Sequence, residues 1–416
     1  MPAPLPATIR DRFAAPEPPD AVELRAFTHG LMPRTVPAMM QRFTEDWRTR
    51  GVDAWNRVPN HWRPASDESV GWWTLPTYLG DAFIAPLLGA PDGTCIHQPH
   101  VHWTMQCLLS APEVAARGSS VLCTEAAFPS VGHSVQQWSA LDGLAPTALP
   151  VAADGALPVD RLCATLSDDT ALVIVSHVGF TTGARAPTRA LRRLADAAHA
   201  HDALLVVDGY HAASTMPIDV DALGCDVYMG GLLKEACGSS GNAFVYLRPG
   251  LDLSPRLQGW FGDAEPFAFN DAPTPHPEVR RRFLGGTTAV ASMYHAVEGV
   301  RILLDVGLEA VRAHSLALTD RALRRADAAG LTVRSPRPAA QRSAMVILAV
   351  EEAARLCEHL KTKHIYTDSR QNRYLRMAPF LWNTAADVDR AFDAIDAALQ
   401  SGAYRSATLP EGGPVT

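Results

Sequence analysis

Short apolar runs alternate with amphipathic stretches through the middle of the chain. Ala171-Leu172-Val173-Ile174-Val175-Ser176 is continuously apolar up to its last residue, which predicts a strand covered on both faces, as in a parallel sheet. Pro187-Thr188 then opens a segment with Leu191, Leu194, Ala195 and Ala198 at helical spacing, and Ala203 to Val207 is the next buried strand. Strand, helix and strand make a βαβ unit, whose crossover is expected to be right-handed. Further strands are predicted at Asp226 to Met229 and at Ala243 to Leu247, the second closed by Arg248-Pro249-Gly250. From Thr288 to Ala329 the pattern is helical, with a break near Gly307.

These elements predict an α/β chain. A large domain over residues 66–287 carries a mostly parallel mixed sheet flanked by helices, and a connecting helix leads into a smaller C-terminal α+β domain over 288–405. Residues 1–65 are expected to form a tail and a segment packed on the small domain, and 406–416 a second tail, since both ends are rich in Pro and Ala.

Composition narrows the function classes. The chain is 47% apolar and 19% charged, ordinary for a globular protein with ample core. Its net charge of −7 comes without long charge runs, so nucleic acid is not an expected partner. No apolar stretch approaches the ~18 residues of a membrane span, and the first residues lack the basic-then-apolar order of a signal peptide, so the expected location is the cytoplasm. Seven scattered cysteines with no Cys-x-x-Cys pair argue for reduced thiols rather than a disulfide framework or structural zinc.

The use of positive charge points to chemistry. There are three lysines against thirty-four arginines, and Lys361 and Lys363 flank a threonine after an amphipathic helix, where they read as solvated surface. Lys234 alone stands in apolar, glycine-rich surroundings. A primary amine can lose its proton and condense with a carbonyl, which a guanidinium cannot do. Upstream, Asp208 ends the run Ala203 to Val207. A carboxylate at the carboxyl end of a buried strand, followed by a lysine on a later loop, is the arrangement pyridoxal 5′-phosphate requires: Asp208 keeps the pyridine nitrogen protonated and Lys234 forms the Schiff base. The bland alternatives are a surface lysine and a turn or cap aspartate, but Gly209-Tyr210-His211 does not open a helix. His97, His100 and His102 place three imidazoles within six residues; zinc would want a carboxylate or a more distant ligand as well, so no metal is expected.

A longer set of segments carries a family resemblance. Gly30-Leu31-Met32-Pro33, the tryptophan-rich stretch Trp47 to Trp55 with Trp62, Pro86 to Ala90, Phe128-Pro129-Ser130, Asp208 to Gly241, Gly259-Trp260-Phe261-Gly262, Asp368-Ser369-Arg370 and Leu375 to Pro379 resemble the class V branch of the fold-type I pyridoxal-phosphate enzymes, and within it kynureninase. The resemblance implies the fold-type I architecture. It also implies that His211 stands near the cofactor ring and orders Asp208, that Phe128 lies against the ring face, and that His100 and Val101 belong to the phosphate loop. Trp260 is implied as an indole donor to the phosphate, and Thr287 reaches the phosphate of a neighbouring subunit, so a homodimer with shared active sites is implied. Arg376 grips the substrate α-carboxylate and Trp55 lines the cleft. Cys237, three residues after Lys234, is read as a small core residue rather than a persulfide carrier.

The chain departs from the kynureninase pattern at four places. Leu233 precedes the lysine where a tyrosine is usual, Val131 replaces an acid, Pro99-His100-Val101-His102 replaces a Ser-Thr phosphate loop, and Gly286-Thr287-Thr288 replaces a Ser-Asn pair. The implied activity is hydrolytic cleavage of the Cβ–Cγ bond of a small-molecule α-amino acid through an external aldimine and a quinonoid. A class V aminotransferase, epimerase or β-lyase is the alternative, and a catalytically silent scaffold a third.

Overall fold

The protein is described here by a computed structural model, which covers residues 5–410 apart from 273. In chain order the strands are β1 (Val22–Glu23), β2 (Cys95–Gln98), β3 (Ser120–Thr124), β4 (Ala145–Leu149), β5 (Thr170–Ser176), β6 (Leu204–Asp208), β7 (Val227–Gly231), β8 (Ala243–Leu247), β9 (Thr332–Val333), β10 (Val346–Ala349), β11 (Ile365–Tyr366), β12 (Asp368–Arg370) and β13 (Tyr374–Met377). The predicted strands at 171–176, 203–207, 226–229 and 243–247 correspond to β5, β6, β7 and β8.

Seven strands form the main sheet in the order β2-β8-β7-β6-β5-β3-β4. Strands β3 to β7 pair in parallel, and β8 runs antiparallel to both its neighbours, which makes the sheet mixed but mostly parallel. Every residue of β5 to β8 is buried, as their unbroken apolar runs demand. The two-residue period sorts them between faces. Val173, Val175, Leu205 and Val207 belong to one core cluster, and Leu172, Ile174, Leu204 and Val206 to the other. The helix Thr188–His199 covers the first face with Leu191, Leu194, Ala195 and Ala198.

A four-stranded antiparallel sheet, β12-β13-β10-β9, carries a separate core with the helices Leu308–Ala328, Ala353–Lys361 and Ala385–Ser401. The predicted break near Gly307 falls between the helices Glu298–Val306 and Leu308–Ala328, where Gly307 has φ 83°. A second break, at Ala296-Val297, lies within the apolar spacing that read as one helix. There the chain presses against the loop after β7: a Cβ on Gly299 would overlap the Ala236 carbonyl oxygen.

The N-terminal segment touches both cores. β1 pairs in parallel with β11, and Arg25 bridges to Ala378. The helix Val36–Arg50 instead joins the main core through Phe43, whose ring meets Trp72 and Tyr294. Beneath it, Tyr294 donates its hydroxyl proton to Asp46 at 2.7 Å and accepts from the Trp72 indole at 2.9 Å. Tyr294→Phe leaves both buried partners short of a bond, and a loss of about 1–3 kcal/mol is expected as a lower urea midpoint at unchanged m value.

Candidate active site

The parallel strands deliver their carboxyl ends to one edge of the sheet, and a cavity of about 330 Å³ opens there. Asp208 is the last residue of β6, level with Ser176 at the end of β5. Its peptide oxygen accepts the His177 N–H at 2.8 Å, which locks the two strand ends together. The Asp208 carboxylate is buried and accepts the Tyr210 N–H at 3.0 Å while lining the cavity. Burial raises its pKa, opposed by that N–H and by the charge of Lys234.

Lys234 follows β7 on a loop gripped from two sides. The Gly30 N–H donates to the Leu233 carbonyl at 3.2 Å, and a Cβ on Gly30 would overlap the Lys234 carbonyl oxygen. Its amine lies 3.0 Å from His211 Nε2, 4.4 Å from the Tyr210 ring centroid and 5.6 Å from that of Phe128. Burial pulls the amine below the ordinary lysine range; the nearby carboxylates of Glu235 and Asp208 oppose this, while Arg376 and Arg370 add to it. Burial also holds His211 well below the ordinary imidazole value, so that ring is neutral.

The aromatic walls are Phe128 and Phe180, in edge contact with centroids 5.0 Å apart; Phe180 also lies nearly parallel to the His211 ring. Leu233 and Val131, two of the departures from the kynureninase pattern, line the same cavity. So do His100 and Val101, at the start of the helix Val101–Ser110. His100 caps that helix, its Nδ1 accepting the Trp103 N–H at 3.0 Å, and burial lowers its pKa. His102 Nδ1 meets Ser134 Oγ at 3.2 Å, whereas His97 is buried against Asn242 at 2.8 Å, so the three imidazoles do not converge. Among the described residues no three side chains are grouped to hold a metal ion.

Other residues singled out from the sequence stand apart from this cavity. Arg376, on β13, is buried behind Phe180: its guanidinium lies 5.1 Å from that ring, pairs with Asp368 and donates to the Phe180 carbonyl at 3.2 Å. Its Nε is buried without a partner among the described residues. Thr287 is exposed beside a second cavity of about 270 Å³, which shares Pro99 and Gly241 with the first. Trp260 donates its indole N–H to the Pro266 carbonyl at 2.6 Å, within an aromatic group that includes Trp73 and Phe267. Trp55 packs edge-on against Trp72 and Phe261. His211 makes its bond to Lys234 and none to the Asp208 side chain. Cys237 packs in the main core.

Sequence reading passed over Phe180, Tyr210 and Glu235. Tyr210 and Glu235 adjoin or nearly adjoin the two residues it selected, and proximity to Asp208 and Lys234 was the available signal. Phe180 had none, because its place depends on the turn after β5.

The residues fit pyridoxal phosphate. A buried carboxylate with one hydrogen-bond donor faces a cavity that also holds a lysine amine, and the free N–H groups at the start of the helix Val101–Ser110 border it. The model of the class-V aminotransferase family matches residues 104–365. The chain belongs to the class-V aminotransferase family. Its cofactor is pyridoxal 5′-phosphate. Among its relatives, an uncharacterised aminotransferase, YcbU, of Bacillus subtilis (strain 168) is 31% identical over 75% of this chain and 81% of its own. The kynureninase of Deinococcus radiodurans is 30% identical over 92% of this chain and 91% of its own, and that of Pseudomonas fluorescens 29% over 89% and 86%. The fold matches the cysteine desulfurase CsdA of Escherichia coli with a TM-score of 0.78 at 20% identity, covering 96% of this chain and all of that one.

The buried histidines under the site set an acid limit. Burial depresses His97 to about 4 and His177 to about 3, against 6.5 for a free imidazole. Below pH 6.5 the unfolded chain takes up protons that the fold refuses, so stability is lost as pH falls from 6.5 toward 4. The slope is roughly 1.4 kcal/mol per pH unit for each imidazole. Urea unfolding at a series of pH values is expected to show a shallower acid slope in His97→Gln than in the native chain.

Proposed function

We propose that this class-V enzyme cleaves the side chain of an α-amino acid by hydrolysis of its Cβ–Cγ bond, a kynureninase-like reading supported by the kynureninases among its relatives. The observation that carries the reading is the cavity beside Lys234. Phe128, Phe180, Tyr210, Val131 and Leu233 make it an apolar, partly aromatic chamber, which suits a substrate with a flat or apolar side chain beyond its γ-carbonyl.

In this reading Lys234, Asp208 and His211 do the chemistry. Bound pyridoxal phosphate supplies an electron sink for the charge left at Cα. Asp208 holds the pyridine nitrogen in its protonated form, and Phe128 covers the ring face. His100, Val101, Trp260 and Thr287 are assigned to the cofactor, with Thr287 serving the site of a second copy in a homodimer. Lys234 Nζ, its pKa drawn down by burial to about 8, takes the Cα proton in its neutral form. Arg376, buried behind Phe180, is assigned to the α-carboxylate, which its Nε reaches once that ring moves aside, and Trp55 of the N-terminal segment is assigned to the cleft. Hydrolysis adds water across Cβ–Cγ, so the side chain leaves as a carboxylic acid and the amino-acid half leaves as alanine. The cytoplasm is the proposed location.

Gly286-Thr287-Thr288 and the B. subtilis aminotransferase favour transamination as a second reading. Incubation of holoenzyme with L-kynurenine and no keto acid separates them. Many turnovers to anthranilate and alanine are expected, whereas a single equivalent of keto acid with pyridoxamine phosphate would favour the transaminase.

Lys234→Ala is expected to abolish the visible absorbance of the lysine-bound cofactor, and a surviving band would remove Lys234 from its role. Arg376→Ala is expected to raise KM by the equivalent of about 2 to 4 kcal/mol with a smaller change in kcat, measured by steady-state kinetics. Arg370 still pairs with Asp368 in that variant.

A further inference from the structure

Glu235, next to the site lysine, is a buried carboxylate that no step above uses. It is 3% exposed, and its Oε2 has no hydrogen-bond partner among the described residues. The other orphan beside it is His211 Nδ1, which is also buried and unpartnered. Glu235 Oε1 and His211 Nδ1 are 3.7 Å apart, and the opposite nitrogen of the same ring, Nε2, lies 3.0 Å from Lys234 Nζ. Carboxylate, imidazole and amine therefore form one line.

A neutral imidazole carries its single proton on one nitrogen, and the bond made by one side decides the role of the other. The choice has a direct consequence for the amine. With the proton on Nδ1, the Nε2 lone pair faces Lys234 and accepts from it; with the proton on Nε2, an N–H points at the amine lone pair and blocks it.

We propose that Glu235 is a positioning residue that holds the His211 proton on Nδ1, so that Nε2 accepts a hydrogen bond from Lys234 and aims the amine into the cavity. The inference rests on Lys234 being the cofactor-bearing lysine, but on no particular reaction. The charged and titratable groups around the line come from several elements. Asp208 and Tyr210 face it from the end of β6 and the loop beyond, Cys237 from the lysine loop, and Arg370 and Arg376 from β12 and β13. Of these, none is bonded to His211 Nδ1, and Glu235 Oε1 stands 3.7 Å from it, just beyond hydrogen-bond distance. Burial pushes the Glu235 carboxyl up to about 8, opposed by the charge of Lys234, so the carboxylate that accepts from Nδ1–H is the form present on the alkaline side of that value, where the test below is read.

The test follows cofactor capture rather than turnover. Apoprotein is mixed with pyridoxal phosphate, and the growth of the visible band is timed across pH for the native chain, Glu235→Gln and Glu235→Leu. Gln keeps an acceptor for Nδ1–H; Leu does not. At the high-pH plateau, where the amine is neutral in all three, capture is expected to slow roughly five- to tenfold in Glu235→Leu, about the weight of one hydrogen bond, and to recover in Glu235→Gln. Equal plateaus in all three, or equal losses in both variants, would overturn the proposal. Should Glu235→Leu fail to fold, the ¹⁵N shifts of His211 in the native apoprotein decide the matter: a proton on Nδ1 supports it and a proton on Nε2 overturns it. A native chain that forms no band would instead strike the Lys234 assignment, and the inference with it.

Discussion

Everything at the site depends on holding the loop after β7 still. Lysine has a long side chain, and fixing its amine in one place costs rotamer entropy that a mobile backbone would multiply. The backbone here is packed on both sides. Gly30 lies against the Lys234 carbonyl and Gly299 against the Ala236 carbonyl, both at separations that exclude any side chain. Between them Cys237 takes a left-handed conformation, φ 54°, and the Gly238 N–H closes onto the Leu232 carbonyl. A residue other than glycine at that φ is a small strain, and the packing on both sides overdetermines it.

The sheet supplies the second half of the arrangement. Parallel strands bring their carboxyl ends to one edge, so Asp208 and His177 arrive there from β6 and β5 without special provision. The reversed β8 then begins at that same edge, and Asn242, just before it, meets His97 at the end of β2. Low dielectric does the rest. The same burial that lowers the Lys234 amine raises Asp208 and keeps His211 neutral, three shifts with one cause and two signs.

Much of this was legible in the chain, and the reasons are uneven. Strands β5 to β8 announced themselves because strands buried on both faces leave no polar alternation to confuse. Lys234 stood out by rarity and Asp208 by its place at a strand end. The break at Ala296-Val297 was hidden, since apolar residues keep helical spacing through it and its cause is a contact with residues some sixty positions earlier. Arg376 illustrates the same limit: its apolar neighbours, Leu375 and Met377 to Pro379, suggest enclosure, but not that Asp368 and Phe180 would engage both of its terminal nitrogens. Phe180 and Glu235 gain their meaning only from what the fold sets opposite them.

The pairing of β1 with β11 has a bearing on how the molecule is made. Residues 22 and 23 are synthesised long before their partners, 365 and 366. Gly30, a few residues beyond β1, therefore emerges from the ribosome long before either the loop it clamps or the strand that tethers it. A growing chain can assemble the βαβ centre in order, but the β1–β11 pairing beside that brace closes only after the small domain has been made. The segment that clamps the lysine loop is thus secured by a strand made more than three hundred residues later.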